Sequence, residues 1–131
     1  MNQRHQDWFT WLWQEIERHD DQQARVLSLF DFLEQWLPRC QFRGCAFLNI
    51  AAEFPSPDHP IRRLVSDHKA GVRACIRQLI SDLGIANTAE DLASKTDLIY
   101  LLFEGAISES QVYSSTHFIQ VARQSALRLI Q

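Results

Sequence analysis

The sequence predicts an all-α domain, a helical bundle of about six helices, on three observations. Apolar residues recur at spacings of three and four, glycine occupies only four positions, and the four prolines all fall between positions 38 and 60. No alternating pattern of strand type competes with this. At 131 residues, 46% hydrophobic and 22% charged, the chain holds enough apolar material for one core, so a single domain over residues 1–131 is expected.

The first helix is expected from about Asn2 to His19, with Trp8, Trp11, Leu12, Glu15, Ile16 and His19 on one broad face that Phe9 and Trp13 widen. Asp20 and Asp21 then punctuate the chain and supply a cap for a helix from about Gln22 to Leu37. Its stripe is Val26, Phe30, Leu33 and Leu37, flanked by Leu29, Phe32 and Trp36, with Pro38 following its end. A short apolar helix is expected over roughly Cys45 to Phe54, its small Ala46, Ala51 and Ala52 permitting close packing. The run from Pro55 to Pro60 excludes helix interior, but Pro60 suits a first turn capped by Asp58 or His59. From there a long helix carries Leu64, Val65, His68, Val72, Ile76, Leu79 and Ile80 inward, and Gly84 stops it. Thr88-Ala-Glu-Asp opens another, to about Gln111, and Ser114 or Ser115 caps the last. Both of these final helices are apolar over more than one side, so their second face is expected to be buried against another subunit.

Composition excludes several function classes. A net charge of -3, and 11 Arg and two Lys with no basic run longer than Arg62-Arg63, are not a surface for a phosphate backbone. Three cysteines, Cys40, Cys45 and Cys75, form no disulfide framework, and a reducing cytoplasm is expected. The start of the chain has no apolar signal core, and the stretch from Leu98 to Phe103 ends at Glu104, too short to cross a membrane. No Glu-x-x-His pair, cysteine pairing at zinc spacing, Gly-x-Ser-x-Gly elbow or phosphate-cradling loop occurs. Neither a metal, nor a cofactor, nor an enzyme activity is expected.

Further along, Phe42-Arg-Gly-Cys-Ala-Phe-Leu-Asn-Ile-Ala-Ala-Glu-Phe54, then Pro57-Asp-His-Pro60, Asp67-His68-Lys69 and Leu101-Leu-Phe-Glu-Gly-Ala-Ile107, resemble the regulatory domain of TetR-family transcriptional regulators. The resemblance covers nearly the whole chain. It implies a homodimer formed through the last two long helices and an effector pocket inside the bundle. Members of that family begin with a helix-turn-helix domain, whereas this sequence starts where the first regulatory helix is expected. A fragment of a longer regulator and a stand-alone regulatory domain are both compatible with that start, and DNA contact is expected only through a helix-turn-helix domain not present here.

Asn49 and Glu53, four apart, share a helix face with Cys45, His68 sits on an apolar helix side, and Glu104 interrupts an apolar run. These polar residues are candidates for orienting a small, mainly apolar effector, with Phe30, Phe47 and Phe103 as apolar wall. A buried carboxylate needs a partner, so Glu53 facing His68 is the pairing expected. The competing reading is that the same polar set only locks helices together. For the dimer interface the candidates are Leu98, Leu101, Gly105, Phe118, Ile119, Val121, Ala122 and Ala126. A ligand-independent interaction module, needing only those last helices, is the alternative to effector sensing.

Overall fold

A computed structural model describes residues 2–43, Glu53 and residues 56–131, with side chains from Gln6 onward. Among these residues there are five helices and no strand: α1 (Asn2–Glu17), α2 (Gln22–Arg39), α3 (Pro60–Leu83), α4 (Ala89–Tyr113) and α5 (His117–Ile130). The all-α expectation holds, with five helices in place of six. The short helix expected over Cys45 to Phe54 lies outside the described residues except for Glu53, which is in a turn.

Local chemistry fixes most of the ends. The Asp21 carboxylate accepts from the Ala24 amide at 2.8 Å, which opens α2. His59 Nδ1 accepts from the Ile61 amide at 3.2 Å with Pro60 at the first position of α3, and Gly84, at φ 73°, closes that helix in a left-handed conformation that glycine adopts without strain. Thr88 Oγ1 accepts from the Asp91 amide at 3.0 Å and opens α4.

Two boundaries differ from expectation. Pro38 lies inside the last turn of α2, not beyond it. A proline there forgoes one i→i−4 hydrogen bond, and the chain ends the helix one residue later. Gln41 and Phe42 turn to positive φ, and the Phe42 amide reaches back to the Leu37 carbonyl at 2.9 Å. The start of α5 is also shifted. Ser114 is taken up by the end of α4 in a left-handed conformation, Ser115 Oγ accepts from the His117 amide at 3.1 Å, and Thr116 occupies the cap position without a side-chain bond.

The helices share one core, and α2 is its axis, packing on α1, α3, α4 and α5. Its residues Val26 to Phe30 are buried consecutively, which no one-sided amphipathic helix allows. Longer-range polar contacts pin the periphery: Asp31 of α2 accepts from Arg123 of α5 at 3.0 Å, and Arg73 of α3 holds Asp97 of α4.

Candidate functional site

Trp8, Leu12 and Ile16 repeat every four residues, so α1 turns them all inward, and Leu12 and Ile16 are fully buried. On α3 the stripe Val65, His68, Val72 and Ile76 faces the same interior, and on α4 Ile99, Phe103 and Ala106 do. These stripes converge at Trp8. Its ring lies 4.9 Å from the His68 imidazole, 5.2 Å from Phe32 and 6.5 Å from Phe103, each approached edge-on. Phe9 lies 5.3 Å from the imidazole and 5.0 Å from Trp8, so the three rings cluster together, and Phe30 is 6.4 Å from Phe103. Of the candidates read from sequence, the fold thus brings Phe30, His68 and Phe103 to one aromatic junction, with His68 only 4% exposed.

One residue further along each helix, Lys69 and Glu104 form a half-buried ion pair at 2.7 Å. Glu104 is therefore anchored across α3 and α4. Among the described residues, four polar atoms on these converging helices are buried and make no hydrogen bond: the Trp8 indole nitrogen, the second carboxylate oxygen of Glu104, and the Thr96 and Ser110 hydroxyls. An unsatisfied buried donor or acceptor costs about 1–3 kcal/mol, and a bound molecule that supplied the missing bonds would recover it.

The remaining effector candidates do not join this junction within the described residues. Phe47 and Asn49 lie outside them. Glu53 is exposed in a turn, so it is not the buried carboxylate expected opposite His68; a hydrated carboxylate needs no partner. Trp8 was missed as a site residue although its spacing to Leu12 and Ile16 carried the signal. The Lys69–Glu104 pair had no signal in the sequence, since its members are 35 residues apart.

The second feature is an apolar face on α4 and α5. Leu98, Leu101, Gly105, Ser108 and Val112 step along α4 by alternating threes and fours, and all are exposed, Leu98 by 45% and Leu101 by 64%. Alternating spacing of this kind forms a straight seam for another helix. Gly105 leaves open space in the middle of it. On α5, Val121 is 43% exposed, and Ser125 and Leu129 join Leu98 and Leu101 around a 460 Å³ groove. Phe118 is half-buried and stacks on Tyr113. Three expected interface residues are corrected: Ile119, Ala122 and Ala126 are buried in the core of their own chain, because α5 turns them toward α2.

At the α2–α5 contact, burial and the neighbouring Asp31 carboxylate push the Glu34 carboxyl above its ordinary range, while Arg123 pulls the other way. The folded chain thus holds this proton more tightly than the unfolded chain, so the contribution of Glu34 to stability is fully present below the ordinary Glu value, about 4.3, and is lost as pH rises through the raised one. Glu34→Gln removes the charge and is expected to raise the thermal midpoint at pH 7, with the gain vanishing near pH 4. Calorimetry at both pH values checks this, and an unchanged or lower midpoint at pH 7 counts against it.

No described helix is long and apolar enough to cross a membrane. No curated protein and no solved structure matches the chain. The family model described as the tetracyclin repressor-like C-terminal domain matches residues 23–126, from the first turn of α2 to Ala126 in α5. With an all-helical bundle on one core and a match over most of its length, the chain belongs to the tetracyclin repressor-like C-terminal domain family.

Proposed function

We propose that residues 1–131 act as one regulatory domain that pairs with a second copy through α4 and α5 and senses a small, mainly apolar molecule. The observation that carries the reading is the exposed seam of Leu98, Leu101 and Val112 beside Val121 and Leu129, an apolar face of the kind that monomers rarely leave open. Support for an effector comes from the aromatic junction, where the Trp8 indole nitrogen is buried and unsatisfied among the described residues, and from Glu104, next in sequence to Phe103, whose second carboxylate oxygen is likewise unsatisfied. His68, Phe30, Phe103 and Glu104 are the proposed contacts, with Asn49, Phe47 and Glu53 as candidates from the segment between α2 and α3.

Regulation then follows from linkage. A ligand that favours one arrangement of the pair over another shifts their balance, and one with equal affinity for both shifts nothing. In a repressor this shift would change the spacing of two helix-turn-helix heads, to which operator contact would fall. Regulatory domains of this family are not enzymes, and we assign this one no catalytic role. We place its work in the cytoplasm.

Native mass spectrometry of the purified chain tests both halves. The expected result is a mass near twice 15.3 kDa, with extra mass lost on denaturation. A dimer that never carries extra mass favours the ligand-independent interaction module, and a monomer at low micromolar concentration overturns the pairing.

A further inference from the structure

The apolar face of α4 and α5 is not uniform along its length. At one end Leu98 and Leu101 of α4 and Ser125, Arg128 and Leu129 of α5 line the 460 Å³ groove, a volume that accommodates a small molecule or a large side chain. At the other end the same face projects. Val112 and Tyr113 are 68% and 62% exposed, and the Tyr113 ring is held by Phe118, stacked 5.7 Å away. Gly105 lies midway between the two ends. Leu98 and Val112 are each seven residues from it, about 10 Å along the helix, and a β-carbon at Gly105 would meet nothing within 4 Å.

A face that pairs with its own copy about a twofold axis meets itself in one of two directions. With the axis along the helices, the two α4 helices run parallel, so groove lies against groove and Tyr113 against Tyr113. With the axis across the helices, they run antiparallel, and the groove of each copy receives the projecting end of the other. Leu98 then meets Val112, and the helices cross at Gly105, whose missing side chain permits close approach. Charge selects the same direction. Glu109 stands one turn before Tyr113 on α4, Arg128 lines the groove, and neither is in an ion pair among the described residues. Antiparallel pairing brings these opposite charges together twice, whereas parallel pairing sets like against like.

We propose that the second copy docks antiparallel, with the α4 helices crossing at Gly105, so that Tyr113 of each subunit fills the Leu98–Leu129 groove of the other and Glu109 pairs with Arg128 at its rim. The inference rests on the pairing proposed above and gives it a direction. It also assigns the groove an occupant: a side chain of the second copy, which leaves no room there for an effector.

Photo-cross-linking of the full chain with p-benzoylphenylalanine in place of Tyr113 tests the direction. Mixed with nitrogen-15-labelled parent chain, it is expected to cross-link to labelled peptides that hold Leu98–Leu102 or Ser125–Leu129. Arg128→Glu is expected to weaken the dimer at least threefold in sedimentation velocity, with the circular dichroism of the parent, and Glu109→Lys in the same chain to restore it to within about twofold. Cross-links confined to residues 110–118 of the labelled copy, or a double variant no tighter than Arg128→Glu alone, overturn the antiparallel direction and leave the pairing through α4 and α5 standing. A single chain throughout sedimentation at 50 µM overturns the pairing itself, and this inference with it.

Discussion

Leu101→Arg is expected to convert the proposed dimer into a monomer without unfolding it. Leu101 is 64% exposed in the single chain, so a guanidinium there stays hydrated and costs the fold little. In a symmetric pair the same position meets its counterpart or a near neighbour, and each subunit brings one charge into an apolar seam. Burying such a group without a partner costs a few kcal/mol, and about 2.8 kcal/mol corresponds to a hundredfold weaker dimer. Sedimentation velocity at 1–50 µM is expected to show the smaller species throughout for the variant, with the helical circular dichroism of the parent. A variant that sediments like the parent dimer would remove α4 from the interface. The comparison with α5 sharpens the test. Val121→Arg, at 43% exposure, is expected to behave like Leu101→Arg, whereas Ile119→Arg places its charge at a fully buried position and is expected to unfold the chain.

A large loss of stability in a chain that still folds is expected from Phe103→Ala. Phe103 is fully buried, within 6.4–6.5 Å of the Phe30 and Trp8 rings, and sits where α1, α2, α3 and α4 meet. Truncating a buried phenylalanine costs about 3–5 kcal/mol in lost transfer energy and cavity formation. Against a total of about 5–15 kcal/mol for a domain, that is a large share. Urea unfolding followed at 222 nm is expected to show the midpoint falling accordingly, and a loss below about 1.5 kcal/mol would mean that the aromatic junction is loosely packed. Phe103→Leu, which keeps most of the volume, is expected to recover more than half of the loss.

Much of the fold was legible one helix at a time. Three of the helix starts are set by a local side-chain bond, at Asp21, His59 and Thr88, and the stop of α3 by a glycine free to turn left-handed. Each of these signals acts within four residues, so it survives in the sequence unchanged. Pro38 misled for the same local reason: the rule that proline ends a helix places the stop to within two residues, but the proline sits just before the last residue, Arg39, where the helix forgoes one i→i−4 bond and then ends. The candidate site was less legible. Phe30, His68 and Phe103 were identified as inward-facing from their spacing, but what collects them is Trp8, brought from the start of the chain by the packing of α1.

Periodicity also overreached at the proposed interface. Ile119, Val121, Ala122 and Ala126 look alike as apolar positions on a helix with a wide apolar arc, yet only Val121 faces outward. A helix with apolar residues on two sides announces that it has two neighbours; which side takes which neighbour depends on how its axis is rotated against α2, and no single residue encodes that rotation. The sequence by itself determined the all-α class, the helix boundaries to within a few residues, and the excess of apolar surface on the final pair, because these depend on local hydrogen bonding and on the 3.6-residue period. Tertiary structure alone decided that α2 is the axis, that Lys69 pairs with Glu104 and that a groove opens between α1 and α3. Each of those joins residues far apart in the chain, and their meeting is fixed by the joint packing of several helices, to which every side chain contributes a small part.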